Sequence, residues 1–114
     1  MKTIIAGSRT IEDYELLSKI IKESNFKIDL IVSGGAKGVD ELGERYAREH
    51  AIPLKLFPAD WDKYGKSAGM IRNQQMVDYA DSLIAIWDGK SKGTAHTINQ
   101  AKKKGLQLKI HLIK

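Results

Sequence analysis

A glycine-rich turn at residues 33–40 has the residue types that point most directly to chemistry. It follows a short apolar run at residues 30–32 and precedes residues with helical spacing. Glycines allow backbone angles that a β-carbon forbids, and the N–H groups at a helix start attract anions. Lys37 could add a positive charge, while Asp40 could accept from a ribose hydroxyl or simply favour the helix N-terminus. We therefore predict a phosphate-binding turn, the alternative being a tight turn without a ligand. The predicted contacts are Ser33, Gly34, Gly35, Ala36, Lys37, Gly38 and Asp40.

Two further turns, at residues 7–9 and 88–94, carry glycine beside polar side chains. The free N–H groups of a helix that starts near Thr94 could hold a second phosphate or a ribose. Neither the 33–40 turn nor the 88–94 turn has the spacing of a P-loop or of Gly-x-Gly-x-x-Gly, so a standard ATP or NAD site is not predicted. We expect no resident cofactor. The predicted contacts here are Gly7, Ser8, Arg9, Asp88, Gly89, Lys92, Gly93 and Thr94.

Three more side chains are candidates because of their position near the predicted turns. Arg72 and Asn73 fall near the start of a predicted helix, where an arginine could bind a phosphate through two hydrogen bonds. The alternative for Arg72 is a solvated helix position. Trp61 lies in a polar segment without clear periodicity, where its indole could stack on a base or fill the space under its own loop.

The elements that must position these turns alternate between strands and helices. Short, nearly continuous apolar runs separated by amphipathic helices are typical of a parallel sheet covered on both faces. We predict an α/β, Rossmann-like, doubly wound three-layer domain with a five-stranded, mainly parallel sheet. Ligands of such sheets bind at the carboxyl edge, where all the predicted turns lie. The predicted strands are residues 2–6, 30–32, 54–57, 82–87 and 106–113, and the predicted helices are residues 11–24, 38–50, 68–79 and 94–104.

Local signals also predict where the helices begin and end. Thr10 followed by Asp13 resembles a capping box, and Ser67 is the expected N-cap of the third helix. Asn25 and Gly105 are expected to end the first and fourth helices. Four side chains of the third helix have the spacing expected of a buried stripe: Met70, Ile71, Gln74 and Val77.

The composition narrows the class of protein. With 114 residues, the chain is expected to form one domain, residues 1–114, around one core. It has no cysteine, and its histidines (His50, His96 and His111) have no partner at metal-ligand spacing, so no metal site is predicted. No apolar run approaches the roughly 20 residues of a membrane span, and a cytoplasmic location is expected.

The chain is basic, with a formal net charge of +5 and a pI of about 9.4. Nucleic acid or small anionic ligands would both suit this charge. Asp40, Asp60, Asp62 and Asp88 are interspersed with the lysines near the glycine turns, which disfavours a continuous basic stripe. We therefore expect a small anionic partner rather than a nucleic acid.

Taken in order, residues 7–9, 33–40, 72–73 and 88–94 resemble the YspA-like branch of the SLOG superfamily. That superfamily includes the Lonely Guy (LOG) phosphoribohydrolases and the DNA-uptake protein DprA (Smf). The resemblance implies a Rossmann-like domain that binds or senses a nucleotide or a nucleotide-derived signal, and it is compatible with a homo-oligomer. The Gly-Gly-Ala-x-Gly-Val-Asp element at residues 34–40 is its most specific part.

One position departs from the LOG pattern. Arg72 and Gly93-Thr94 match the LOG arginine and glycine-threonine, but Thr97 stands where the LOG glutamate acts at the ribose. A carboxylate stabilises the oxocarbenium-like transition state of N-glycosidic cleavage, and threonine cannot. Either the chain binds without hydrolysing, or Asp40 or Asp88 replaces the glutamate beside Arg72. DprA-like binding of nucleic acid is the remaining alternative.

Overall fold

Five strands run side by side through the middle of the protein. The computed structural model describes residues 1–113, with β1 (Lys2–Gly7), β2 (Leu30–Ser33), β3 (Leu54–Leu56), β4 (Ser82–Trp87) and β5 (Gln107–Leu112). Their order in the sheet is β3-β2-β1-β4-β5. Every neighbouring pair is parallel. The predicted parallel α/β sheet is therefore confirmed.

Helices cover both faces of this sheet. They are α1 (Tyr14–Ser24), α2 (Val39–Glu49), α3 (Trp61–Tyr64), α4 (Ala68–Tyr79) and α5 (Lys92–Lys104). Successive strand residues point to opposite faces, so Ile5 and Ile84 pack with α1 and α2, whereas Ile4 and Leu83 pack with α4 and α5. All four are fully buried. The predicted three-layer architecture follows from this alternation.

The strand order places a switch point between β1 and β4. From the central β1 the chain first builds outward through β2 to β3, then returns to β4 and continues to β5. The loops after β1 and β4 therefore diverge to opposite sides of the sheet and leave a crevice between them. Within residues 1–113, no helix is both long and apolar enough to cross a membrane.

The predicted start of α1 was wrong, whereas α4 begins at Ala68 as predicted but lacks the expected side-chain cap from Ser67. Helix α1 begins at Tyr14 because Asp13, not Thr10, is the N-cap, its carboxylate accepting from the Leu16 N–H at 3.0 Å. Ser67 makes no capping hydrogen bond from its side chain, because a 3₁₀ turn at Gly65–Ser67 leads directly into α4. Asn25 and Gly105 do end α1 and α5, both in the left-handed conformation.

The buried face of α4 also differs from the predicted one. Met70 is 58% exposed, while Met76 is 2% exposed and Asn73 is 5% exposed. Asn73 and Met76 stand one position before the predicted Gln74 and Val77, which turns the buried stripe about 100° around the helix, although Val77 is also buried. Apolar periodicity could not reveal this, because Asn73 is a polar residue that is buried through its hydrogen bonds.

The segment between β3 and α4, predicted to be irregular, contains the single helical turn α3. Asp60 is its N-cap and accepts from the Lys63 N–H at 3.1 Å. Trp61 is 56% exposed on this turn. It therefore does not fill the space under its own loop.

Candidate functional site

A cleft opens at the carboxyl edge of the sheet, at the switch point. It has about 450 Å³ of empty volume, including the part open to solvent. The end of β1 forms its floor, and the start of α2, the middle of α4 and the first turn of α5 form its walls. We call it the switch-point cleft; its lining residues are Ala6, Gly7, Arg9, Ala36, Asp40, Arg72, Asn73, Met76, Ser91, Gly93, Thr94 and Thr97.

The turn after β1 is held by Ser8, which is 2% exposed. Its hydroxyl accepts from the Asp88 N–H at 3.1 Å. Its carbonyl accepts from the N–H groups of Ile11 and Val39, both at 3.4 Å. Ser8 therefore lies behind the cleft and joins the turns that surround it.

Packing accounts for two of the glycines near the cleft. A β-carbon on Gly7 would lie 2.1 Å from the Ile86 carbonyl oxygen. At Gly38, where φ is +77°, it would lie 2.5 Å from the carbonyl oxygens of Ser8 and Arg9. Gly7 lets the end of β1 approach β4, and Gly38 lets the 33–40 turn approach the turn after β1, so packing explains both glycines without a ligand.

The 33–40 turn is stabilised from within. The Gly35 N–H donates to the Ser33 hydroxyl at 3.2 Å, and the Ala36 N–H donates to the Asp40 carboxylate at 3.1 Å. Lys37 is exposed and is not part of the cleft lining. Gly35 has φ +76° and no atom within 4 Å of a β-carbon position, so its requirement for glycine is conformational.

Asp40 is a buried carboxyl group in the cleft wall, 6% exposed. Burial raises the pKa of Asp40 to about 6, although the Ala36 N–H and the positive charges of Arg72 and Arg9 act in the opposite direction. Asp40 is therefore close to half-protonated near pH 6, a property of groups that transfer protons or bind polar ligands.

Arg72 reaches across from α4 to the 33–40 turn. Its Nη1 donates to the Gly34 carbonyl at 2.6 Å, and its Nε donates to the Asn73 side-chain oxygen at 2.9 Å. A β-carbon on Gly34 would lie 2.6 Å from Arg72 Nη1 and 3.1 Å from Asp40 Oδ2, so both charged groups approach one backbone position. Burial lowers the pKa of Arg72, which remains a cation.

Asn73 connects α4 to α5. Its side-chain nitrogen donates to the Gly93 carbonyl at 3.3 Å and lies 3.3 Å from His96 Nδ1. Burial lowers the pKa of His96, with Lys103 adding to the effect, so its Nδ1 is available as an acceptor at neutral pH. The contacts of Asn73 with Gly93 and His96 hold α4 and α5 at a fixed distance beside the cleft.

The first turn of α5 is capped by Ser91, whose hydroxyl accepts from the Thr94 N–H at 3.4 Å. Asp88 accepts from the N–H groups of Lys90 and Ser91 at 2.8 and 2.9 Å, and these bonds lower the pKa of Asp88. Asp88 therefore shapes the turn rather than facing the cleft. No atom lies within 4 Å of a β-carbon position on Gly93.

The structure thus brings together part of the predicted set. The predicted residues that line the switch-point cleft are Gly7, Arg9, Ala36, Asp40, Arg72, Asn73, Gly93 and Thr94. Those outside its lining are Ser8, Ser33, Gly34, Gly35, Lys37, Gly38, Trp61, Asp88, Gly89 and Lys92.

Four lining residues were not among the predicted contacts: Ala6, Met76, Ser91 and Thr97. The Ser91 cap could have been found, because Ser91 precedes the Thr94 helix by three residues. Thr97 was indicated by the resemblance, as the position of the LOG glutamate, whereas Ala6 and Met76 had no local signal that separates a cleft wall from a core position. Among residues 1–113, no group of three or more His, Cys, Asp or Glu side chains could hold a metal ion.

A parallel sheet in this order, with a crevice at its switch point, defines a Rossmann-like α/β protein. A family model described as the YspA, cpYpsA-related SLOG family (YAcAr) matches residues 1–64. The chain belongs to that family.

Two sequence relatives come from phages or prophages. The Gene 61 protein of Mycobacterium phage D29 is 34% identical over 115 residues, covering 92% of this chain and 91% of the relative. The uncharacterised SPbeta prophage-derived protein YoqJ of Bacillus subtilis (strain 168) is 31% identical over 78 residues. That match covers 68% of this chain and 40% of YoqJ.

One solved structure has the same fold. The X-ray structure of DNA processing protein A (DprA) from Streptococcus pneumoniae aligns with a TM-score of 0.75 and 19% sequence identity. The alignment covers 94% of this chain, which spans 48% of the DprA chain. At this low sequence identity, the similarity shows a shared fold and nothing more.

Proposed function

We propose that the switch-point cleft binds a nucleotide or a nucleotide-derived ligand through its phosphate and ribose. The observation that carries this proposal is the convergence of Arg72, Asp40 and the first turn of α5 on one empty space at the switch point. A cation, a helix start and a buried carboxyl are the groups expected around a sugar phosphate.

The first turn of α5 is suited to a phosphate. Glycine inside a helix costs up to about 1 kcal/mol relative to alanine, yet at Gly93 no protein atom would obstruct a side chain. The bare backbone leaves room for an anion to approach the N–H groups that begin the helix. Lys92 and Gly93 N–H groups have no acceptor among the described residues.

Arg72 and Asp40 supply the complementary charges. Arg72 uses Nε and Nη1 within the protein, while its Nη2 has no hydrogen-bond partner in residues 1–113. That nitrogen can donate to a phosphate oxygen. Asp40 Oδ2 already accepts from Ala36, which leaves the other carboxylate oxygen for a ribose hydroxyl.

Arg72→Ala is expected to weaken nucleotide binding at least tenfold, because a charge-assisted hydrogen bond to phosphate is lost. Calorimetric titration with AMP, ADP-ribose and ribose 5-phosphate would measure the affinities. Arg48→Ala, at the exposed far end of α2, removes the same charge and serves as control. Equal affinities for both variants and the wild type would contradict the role of Arg72. No binding of any of these compounds to folded wild-type protein would contradict the proposed function.

Gly93→Ala separates ligand binding from stability. We expect the variant to be as stable as the wild type or up to about 1 kcal/mol more stable, because alanine favours the helix. Its affinity for the same nucleotides should fall, since the new methyl group occupies the approach to α5. Urea denaturation and calorimetry would measure the two quantities. Unchanged affinity would place the phosphate elsewhere.

A second candidate function is hydrolysis of a nucleotide N-glycosidic bond, which one observation favours. Asp40 places a carboxyl in the cleft beside Arg72, and burial raises its pKa to about 6. It could stabilise the oxocarbenium-like transition state although Thr97 lacks a carboxylate. Release of free base from AMP, lost in Asp40→Asn, would support this activity. Binding of AMP without product would support binding or sensing alone.

The structural neighbour DprA is named as a DNA processing protein, so nucleic acid belongs in the same experiment. Labelled single-stranded DNA can be titrated at two salt concentrations, since phosphate-driven binding weakens steeply with salt. Salt-dependent DNA binding that outcompetes AMP would favour the nucleic-acid alternative. We expect AMP-type ligands to bind more tightly.

A further inference from the structure

A second cleft adjoins the switch-point cleft, with Arg72 lining both. It has about 500 Å³ of empty volume, including the part open to solvent. One wall is the single turn α3 with Tyr64, and the other is α4 with Ile71. Pro58 and the buried Ala68 complete it. We call this second space the side cleft.

Neither cleft alone is large for a whole nucleotide. The space enclosed by protein is about 80 Å³ in the switch-point cleft and about 230 Å³ in the side cleft, each below the roughly 300–1,000 Å³ of small-molecule sites. Because Arg72 lines both clefts, a ligand held by a phosphate in the first cleft can extend past this residue into the second. The pair of clefts therefore suits an elongated ligand with two chemically different ends.

The side cleft, whose exposed lining is mostly polar, offers a planar ring one aromatic surface, that of Tyr64. Tyr64 is 37% exposed, and the Lys63 ammonium lies 5.1 Å from the centre of its ring. Among residues 1–113, no other aromatic ring stacks on Tyr64. Ile71 and Pro58 add apolar surface, and the Gln75 amide at the rim can hydrogen-bond to the edge of a base.

Trp61, the more exposed aromatic residue, does not line either cleft. Its indole Cη2 would lie 3.6 Å from a β-carbon on Gly69, so the ring leans against the first turn of α4. The aromatic surface available beside Arg72 is therefore that of Tyr64.

We propose that the side cleft is the base-binding subsite of the same ligand, with the base stacked on Tyr64 and its phosphate in the switch-point cleft. This inference rests on the proposed function and narrows the ligand class to nucleoside phosphates whose base contributes to affinity. Stacking on an aromatic side chain accepts any base, so affinity depends on the presence of the base more than on its identity.

The test compares AMP with ribose 5-phosphate, which has the same anionic end without the base. Affinities are measured by calorimetry, directly or by competition. Tyr64→Ala should lose about tenfold in AMP affinity and leave ribose 5-phosphate affinity unchanged. Tyr64→Phe should retain AMP affinity, because the ring remains. Met70→Ala, an exposed apolar position outside both clefts, is the matched control and should bind AMP like the wild type.

The possible outcomes distinguish a failure of the base subsite from a failure of the proposed function. If the wild type binds ribose 5-phosphate and AMP equally, and Tyr64→Ala binds AMP normally, the base subsite is wrong while the phosphate site stands. An equal loss for both ligands in Tyr64→Ala would also overturn the subsite, since it would indicate a structural effect. If the folded wild type binds neither compound, the proposed function fails and the subsite with it.

Discussion

Gly7→Ala is expected to destabilise the protein by more than about 3 kcal/mol, or to prevent folding. The β-carbon would lie 2.1 Å from the Ile86 carbonyl oxygen and 2.7 Å from Val39 Cγ2. The first neighbour is backbone of β4 and cannot rotate away. Relief would therefore require β1 to separate from β4 at the switch point, where Ser8 also donates to Ile86.

Two other glycines provide graded controls for this prediction, with urea denaturation as the measurement. Gly43→Ala should cost less, because its β-carbon would meet the Ile5 side chain at 2.8 Å and alanine favours the helix. Gly35→Ala, with open space but φ +76°, should cost about 1–2 kcal/mol of backbone strain. A cost at Gly35 equal to that at Gly7 would show that backbone conformation, not contact with β4, determines the effect.

Asp40→Asn is expected to stabilise the protein by about 3 kcal/mol at pH 8, raising Tm by about 10 °C. The pKa of Asp40 rises from 3.8 to about 6 on folding, mainly through burial. Between these values the folded state binds more protons than the unfolded state, so stability falls as pH rises. Above pH 6 the full cost of the buried charge is present; below 3.8 it vanishes.

Comparing Asp40→Asn with the wild type isolates the contribution of the Asp40 carboxyl to stability. The difference in unfolding free energy should be near zero at pH 3.5, grow between pH 4 and 6, and remain constant above pH 6. The asparagine oxygen can still accept from the Ala36 N–H. Arg72, Arg9 and Glu44, which also influence Asp40, are present in both proteins. A pH-independent difference would mean that Asp40 ionises with an ordinary pKa.

A carboxyl that destabilises the fold at neutral pH is typical of a residue kept for function. Nucleotide binding, and any base release, should therefore be weaker in Asp40→Asn although the protein is more stable. This opposite change separates a role in the cleft from a structural one. Weaker binding together with lower stability would instead indicate that Asp40 maintains the turn.

The fold could be predicted because its signals are local and repeated. Short apolar strands alternating with amphipathic helices required a covered parallel sheet, and the sheet order then placed the glycine turns at one edge. Asp40 and Gly93 were found in this way, since each closely follows a strand end, whereas Arg72 was found from its place near the start of a predicted helix. Their arrangement around one cleft follows from topology alone.

The rest of the candidate site could not be predicted, because it depends on contacts between segments that are far apart in the sequence. Nothing near Gly7 or Gly38 indicates that their missing β-carbons make room for Ile86 and Ser8 rather than for a ligand. Asn73 is buried because Gly93 and His96 offer it partners some 20 residues away in sequence. Lys37 and Trp61 illustrate the converse, since each has suitable chemistry in a suitable segment but lies outside the cleft lining.

The hydrogen bonds of Ser8 have a consequence for how tightly the cleft can bind. One residue joins the ends of β1 and β4 to the start of α2, through bonds to Ile86, Val39 and Asp88. Walls that are already fixed relative to one another lose little conformational entropy when a ligand arrives. The cleft is preorganised on this side, and the Val39 and Asp88 amides should exchange their protons together, as parts of one cooperative unit.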